Sequence, residues 1–134
     1  MYSESLKHRI SSDDKGDVLD ALGEIQRTRD APPPEEIMRP LLALLRSPDE
    51  EIRYEAVYAA CLHWGDKRAL PVLVDMLRGQ ERDSAVLEIA ARSIGSIAKQ
   101  SGSVDDEALR ALAEVVLNHE ADPELRGVAY LSVR

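Results

Sequence analysis

The side chains of this chain that most often ligate metals or act as nucleophiles are three histidines and one cysteine. A zinc site needs several such ligands together, and a catalytic nucleophile needs a base aligned with it. Cys61 and His63 are two residues apart on a predicted helix, so their side chains point to different faces. His8 and His119 lie in other predicted helix pairs. We therefore expect packing roles for these residues, and we predict no catalytic, metal or cofactor site.

The carboxylates are numerous, and their distribution does not indicate a catalytic pair. The chain has 25 Asp and Glu against 17 Lys and Arg, which gives a formal net charge of −8. Residues 105–107 stand at a predicted helix start, where the helix dipole stabilises negative charge. Nucleic acids and anionic membranes need a basic surface, so neither is an expected partner. The charge fits solubility alone or a basic protein partner.

Composition and length bound the architecture and the compartment. A chain of 134 residues is long enough for one domain, residues 1–134, with a continuous core. Hydrophobic residues make up 44% but aromatics only 4%, and small aliphatic side chains suit closely packed helices better than a sheet. One cysteine permits no internal disulfide, and no apolar run has the length of a signal peptide or a membrane span. We expect a cytoplasmic protein.

The stretch that organises the chain is PDEEIRYEAVYAACLHW, residues 48–64. Asp49 is suited to cap a helix start, and Gly65 is suited to end the helix. The predicted inward face is mostly alanine and comprises Ile52, Ala56, Ala59, Ala60 and His63. The predicted outward face comprises Glu51, Tyr54, Glu55, Tyr58 and Leu62. Another helix can approach the alanine side closely, so this helix belongs to a packed bundle or stack.

The opening pattern of this stretch recurs along the chain. DEEIRYEA at residue 49 is matched well by DPELRGVA at residue 122, fairly by DSAVLEIA at residue 83, and weakly by DKGDVLDA at residue 14. The apolar periodicity predicts eight helices in four antiparallel pairs, at about 3–29, 35–65, 68–100 and 105–134. Helix pairs repeated at this spacing predict an all-α solenoid, in which each pair buries its apolar face on its neighbours.

Two segments carry a resemblance to a known repeat family. They are LLALLRSPDEEIRYEA, residues 41–56, and LAEVVLNHEADPELRGVA, residues 112–129. The chain resembles the HEAT-like repeats of bacterial proteins, strongly in residues 35–134 and weakly before them. The resemblance implies that the second helix of each pair lines a concave face, and that Asp and Arg side chains form polar ladders between repeats. The residues to which it assigns the ladder role are Asp49, Arg53, Asp83, Asp122 and Arg126.

Tyr54 and Tyr58 are the most informative candidates for a binding surface. They lie one turn apart and away from the alanine stripe, where the resemblance places the concave face. Exposed tyrosines are frequent anchors of protein interfaces, but tyrosines at helical spacing also pack into seams between helices, and both interpretations are open. The predicted partner-binding set is Asp20, Glu51, Tyr54, Glu55, Tyr58, Glu88 and Arg92.

These observations favour a non-catalytic protein-binding module over an enzyme. Small size and acidity suggest an inhibitor or immunity-type protein that masks a basic partner, with a generic scaffold as the alternative within the same class. The alternative from another class is a HEAT-like lyase or glycosylase that acts on a tetrapyrrole or a DNA base, as a few members of the resembled family do.

The last predicted helix carries more apolar residues than one inward stripe can bury. They are Leu125, Val128, Tyr130, Leu131 and Val133. Three explanations are open: self-association through this helix, cover by a partner, or a natural chain that continues past Arg134.

Overall fold

Eight short helices and the turns between them make up the fold. The computed structural model describes residues 2–102, 105–118 and 122–133. Within these ranges the helices are α1 Leu6–Ile10, α2 Lys15–Arg27, α3 Glu35–Ala43, α4 Glu50–Val57, α5 Leu70–Asp75, α6 Ser84–Ser101, α7 Asp106–Leu117 and α8 Pro123–Val133, and no strand is present. Short 3-10 or π turns extend three of them or lead into them, at Leu44–Arg46, Tyr58–His63, Lys67–Ala69 and Met76–Gln80.

The recurring aspartates start the second helix of a pair. The carboxylate of Asp49 accepts hydrogen bonds from the backbone N–H groups of Glu51 and Ile52 at 2.9 and 3.2 Å. Asp83 caps α6 in the same way, through the N–H of Val86 at 3.1 Å. These bonds satisfy first-turn donors that have no partner inside the helix. The side chain of Asp14 makes no such bond, which agrees with the weakness of its sequence match.

The helices stack as consecutive antiparallel pairs. Helix α1 packs on α2, and α7 packs on α8. The second helices contact one another in chain order, α2 with α4, α4 with α6, and α6 with α8, while first helices α1 and α3, and α5 and α7, also pack together. The prediction of an all-α solenoid is therefore confirmed. None of the described helices is long and apolar enough to cross a membrane.

Small side chains hold the second helices close together. Alanines occupy fully buried positions on both α4 with its following turn and α6, at Ala56, Ala59, Ala60, Ala90 and Ala91. Larger side chains such as Leu22, Leu41 and Leu73 fill the space between the two layers. Because interiors pack at the density of organic crystals, alanine at the helix contacts brings the backbones together without leaving voids. The predicted alanine stripe is therefore buried as expected.

The organising helix departs from the prediction in its second half. It does not continue as a regular α-helix to Trp64, because residues Tyr58–His63 form a wider π turn. The carbonyl of Leu62 accepts a hydrogen bond from Ser96 Oγ at 3.0 Å, so α6 satisfies an acceptor at the end of this turn. Gly65 then ends the segment with a φ of 63°, in the left-handed region where glycine is favoured. A Cβ at Gly65 would lie 2.8 Å from the Gln100 side chain.

The C-terminal end of the described solenoid leaves large apolar side chains in solvent. The exposed fractions are 73% for Leu117, 52% for Tyr130 and 65% for Leu131, whereas Leu125 is buried. The side chain of Val133 lies outside the described part of the chain. The excess of apolar residues expected for the last helix is therefore present at its surface.

Candidate partner-binding face

The outward side chains of α2, α4, α6 and α8, together with those of the π turn after α4, form what we call the second-helix face. Tyr58 is 37% exposed on this face, although Val57 and Ala59 on either side of it are fully buried. Tyr54 is half-buried and packs against the core. The two tyrosines therefore occupy different environments: Tyr54 packs against the core, and Tyr58 is more exposed to solvent.

Three of the predicted acidic residues are held by partners within the chain. Asp20 Oδ2 accepts a hydrogen bond from Arg9 Nη1 at 2.9 Å. Glu51 Oε1 lies 3.0 Å from Lys15 Nζ. Glu55 Oε2 accepts a hydrogen bond from the side-chain amide of Gln26 at 2.6 Å. These carboxylates give the N-terminal half of the face less free negative charge than the sequence suggests.

Free negative charge is concentrated where α6 meets the start of α8. Glu88, Asp122 and Glu124 bring one carboxylate oxygen each within 4.8 Å of one another. Partial burial raises the pKa of Glu88, the charges of Glu124 and Asp122 raise it further, and the charge of Arg92 opposes this rise. None of the three forms an ion pair with a described Lys or Arg. We call this group the carboxylate cluster.

The carboxylate cluster also has the ligand type that Mg²⁺ and Ca²⁺ prefer, and it is the only such group among the described residues. Asp122 and Glu124 are exposed at the start of α8, where the backbone N–H of Glu124 donates to Asp122 Oδ1 at 2.8 Å. The helix dipole stabilises both charges at this position without any ion. The helix dipole and this hydrogen bond therefore account for the carboxylate cluster as an anionic surface.

A groove of about 720 Å³ lies on the same face, mainly between the C-terminal halves of α6 and α8. Its lining contains two cations and no acidic residue, and comprises Leu62, Arg92, Gly95, Ser96, Lys99, Gln100, Val128, Leu131 and Ser132. Arg92 and Lys99 are exposed, and neither forms an ion pair within the described ranges. We call this feature the α6–α8 groove.

The sequence predicts Glu88 and Arg92 as binding residues, but it does not predict their neighbours in the structure. The resemblance assigns Asp122 to a ladder, and no sequence pattern identifies Glu124 or Lys99 as binding residues. The alignment of the recurring Asp motifs would have placed the start of α8 beside the first turns of α6, because equivalent positions of neighbouring repeats lie side by side in a solenoid.

Polar ties between repeats exist, with partners other than those the resemblance implied. Lys15 Nζ, at the start of α2, lies 3.0 Å from Asp49 Oδ2. Arg53 donates to both oxygens of Glu81 at 2.6 and 2.9 Å, and to the carbonyl of Ser47 at 2.9 Å. The acidic partner of Arg53 is therefore Glu81 rather than Asp83.

Glu81 is the most buried charged side chain of the described residues, with 3% of its side chain exposed. Burial alone would raise its pKa, but hydrogen bonds from Arg53 and from backbone N–H groups lower the pKa below its ordinary value. The N–H groups of Arg82 and Asp83 each lie 3.1 Å from Glu81 Oε2. Glu81 thus joins the second and third repeats and holds the turn before α6.

The hydrogen bonds of the other predicted ladder residues lie within one repeat. Asp83 and Asp122 bond to the first turns of α6 and α8. Arg126 Nε donates to the carbonyl of Val116 at 3.1 Å, near the end of α7. The charge of Asp83 also acts on Arg53 of the preceding repeat, and the ladder assignment stays a prediction.

The residues with intrinsic reactivity are scattered. Cys61 is fully buried, and burial raises the pKa of its thiol far above the usual range. One ring nitrogen of His63 lies 2.8 Å from the carbonyl of Thr28, and the ring meets Trp64 edge to face at 4.7 Å. His8 is exposed, and His119 lies outside the described residues. These placements give no nucleophile with an aligned base.

Comparison with known families agrees with this architecture. A family model described as HEAT repeats matches residues 38–134, which is more than half of the chain. A comparison with curated proteins finds no match. The match begins within α3 and runs through the three later helix pairs, which contain both the carboxylate cluster and the α6–α8 groove. The chain belongs to the family of HEAT-repeat proteins.

Proposed function

We propose that this protein is a non-catalytic binding module whose second-helix face holds a basic segment of a partner protein. HEAT repeats commonly mediate protein–protein interaction, which supports the general class. The carboxylate cluster of Glu88, Asp122 and Glu124 carries the choice of a basic partner. Three carboxylates this close repel one another, so a Lys or Arg side chain from a partner would lower their electrostatic free energy.

Tyr58 supplies the second half of the proposal. It is the first residue of the π turn that follows α4, and this turn packs directly on α6, which carries Glu88. A partly exposed tyrosine offers a large contact area at low entropic cost, and such residues frequently act as interface anchors beside charged groups. The surface thus combines one aromatic anchor with an anionic spot on the next helix.

Masking a basic surface is the biological role that we infer from this arrangement, as an inhibitor or immunity-type protein does. The formal net charge of −8 supports attraction of a basic protein over longer distances. No observation favours the lyase or glycosylase alternative.

Self-association through the C-terminal helix is a separate part of the proposal. Tyr130 on α8 and Leu117 at the end of α7 are both more than half exposed. A second copy of the chain that covered these side chains would remove their apolar surface from water.

Affinity capture with matched charge reversals tests the proposal. The immobilised wild-type chain and a Glu88→Lys/Glu124→Lys variant are each exposed to extract of the source cells, and the bound proteins are identified by mass spectrometry. A Glu4→Lys/Asp13→Lys variant is the control, because it changes the net charge equally at exposed positions outside the second-helix face.

We expect a basic protein to be captured by the wild type and by the control, and to be lost from the Glu88→Lys/Glu124→Lys variant. Capture of the same proteins by all three would show that the carboxylate cluster has no part in binding. Capture of acidic proteins alone would contradict the choice of a basic partner.

A further inference from the structure

The α6–α8 groove brings together two cations that form no ion pair with a described residue. Many other described Lys and Arg side chains lie in ion pairs, as Arg53 does with Glu81 and Arg78 with Glu107 and Glu114. The charge of Arg92 acts on Glu88, one turn earlier on α6, but Glu88 does not line the groove. Two cations in one groove of a protein with a formal net charge of −8 are a local reversal of charge.

Helix geometry places these cations on one wall. They are seven residues apart on α6, which is two turns, or about 10 Å along the helix axis. Both therefore project from nearly the same side of the helix. Their spacing matches that of two carboxylates separated by two turns of a second helix, or by three residues of an extended peptide.

The opposite wall of the groove is apolar. Val128 is half-buried and Leu131 is 65% exposed, both on α8. Leu62 of the π turn closes one end and is half-buried. These side chains give a ligand a hydrophobic strip beside the two charges, which is the combination that amphipathic peptide segments recognise.

The polar groups on the floor of the groove already have hydrogen-bond partners within the chain and are not available to a ligand. Gly95 allows α8 to approach closely, since a Cβ at that position would lie 3.3 Å from Ser132. Ser96 Oγ and the Gln100 side-chain amide both donate to the carbonyl of Leu62, at 3.0 and 3.5 Å. Arg92 and Lys99 are therefore the charged groups of the described lining, and they select the charge of the occupant.

We propose that the α6–α8 groove binds an acidic, apolar segment of a partner protein, with two carboxylates facing Arg92 and Lys99 and an apolar side chain against Leu131. This goes beyond the proposed function, because it adds a subsite of opposite charge formed by different residues. Charge complementarity argues for this occupant: neither cation forms an ion pair with a described residue, and Arg binds carboxylates with paired hydrogen bonds.

Peptide selection tests the proposal without assuming a partner. A phage-displayed library of random 16-residue peptides is selected on the immobilised full chain. Parallel selections use Arg92→Glu/Lys99→Glu, the milder Arg92→Gln/Lys99→Gln, and a control, Arg29→Glu/Arg39→Glu, which reverses two exposed cations outside the groove. Thermal melts followed by circular dichroism establish that each variant is folded.

We expect the wild type and the control to enrich peptides that contain two acidic residues and at least one large apolar residue. A synthetic peptide of the enriched sequence should bind at least tenfold more weakly to both groove variants, measured by fluorescence anisotropy. Replacement of its two acidic residues by lysine should abolish the binding.

Three results would overturn the proposal. The first is an absence of peptides whose binding depends on Arg92 and Lys99, and the second is enrichment of dependent peptides without acidic residues. The third is self-association of the wild type that is lost in Arg92→Glu/Lys99→Glu and retained in Tyr130→Glu, which would place a second copy in the groove. Peptides that are basic and bind all groove variants equally would support the carboxylate cluster while refuting the α6–α8 groove, so the two proposals fail separately.

Discussion

Replacement of Glu81 by glutamine should destabilise the protein far more than any single surface charge does. The carboxylate accepts two hydrogen bonds from Arg53 and two from backbone N–H groups. Glutamine has the same shape, but its NH₂ group replaces one acceptor with a donor and removes the charge. Each hydrogen bond to a charged group contributes about 1.5–3 kcal/mol, so the loss of two should lower the free energy of unfolding by about 3 kcal/mol or more.

The degree of burial places the expected loss of unfolding free energy near the lower end of this range. The Arg53 side chain is 20% exposed, so water can partly replace its lost partner. Breaking a buried ion pair costs about 3–5 kcal/mol, and we therefore expect about 3 kcal/mol. A domain of this size is stable by only about 5–15 kcal/mol, so this loss is a large part of the total.

Urea denaturation followed by circular dichroism measures this difference. With a slope of about 2 kcal/mol per molar, the midpoint should fall by about 1.5 M. The matched control is Glu114→Gln, because Glu114 also accepts two hydrogen bonds from one arginine, Arg78, but in a half-exposed position. It should shift the urea midpoint much less than Glu81→Gln does, because solvent screens an exposed ion pair. Equal effects of the two substitutions would refute the assignment of Glu81 as a buried tie between repeats.

The same comparison predicts a pH dependence with a definite sign. The folded-state pKa of Glu81 lies below its ordinary value of 4.5, so its stabilising contribution is complete above that value and is lost as pH falls through the folded-state pKa. The difference in unfolding free energy between the wild type and Glu81→Gln should therefore be constant near neutral pH and shrink below pH 4.5. A difference that grows with acidity would contradict the physical reasoning.

Three further predictions concern the binding face, a turn and the C-terminal edge. Tyr58→Ala should lower the free energy of unfolding by less than about 2 kcal/mol, because the ring is partly exposed. It should weaken partner binding by about 2 kcal/mol. A loss of stability of about 3 kcal/mol or more in a thermal melt would instead identify a packing role. Gly65→Ala should lower the free energy of unfolding by more than about 1 kcal/mol, since alanine is strained at a φ of 63° and its Cβ meets the Gln100 side chain. The control Gly127→Ala, at a helical position with open space, should leave stability unchanged or raise it. In sedimentation equilibrium, the wild-type mass should rise with concentration, and Tyr130→Glu should remain a monomer; a strictly monomeric wild type would refute self-association.

The features that the sequence predicts well are those that depend on neighbours along the chain. The capping role of Asp49 and the burial of Ala56 and Ala60 follow from spacings of a few residues, which fix the helix start and the inward face. The solenoid follows in turn, since helix pairs with one apolar face each must stack.

The features that the sequence does not predict depend on the register between neighbouring helices. The carbonyl of Leu62, in the π turn at Tyr58–His63, accepts hydrogen bonds from the side chains of Ser96 and Gln100. Both residues lie on α6, more than 30 residues away along the chain. Glu81 carries no repeat signature, so its bond to Arg53 could not be read from the pattern of aspartates. The predicted partner-binding residues remain a prediction, and the structure adds that Asp20 and Glu51 are held by internal ion pairs while Arg92 is not.

Among the described residues the second helices contact one another mainly in chain order, so a bound partner would stabilise different parts of the molecule unequally. A segment that bridges α6 and α8 raises the free energy needed to open their junction, whereas α2 reaches that junction indirectly, through α4 and the π turn after it. Opening free energies in such a stack are set by each repeat and its neighbours. Amide hydrogens of α8 should therefore exchange more slowly once the α6–α8 groove is filled, while those of α2 keep their original rates. The positions of the amides whose exchange slows would identify the helix junction that a partner occupies.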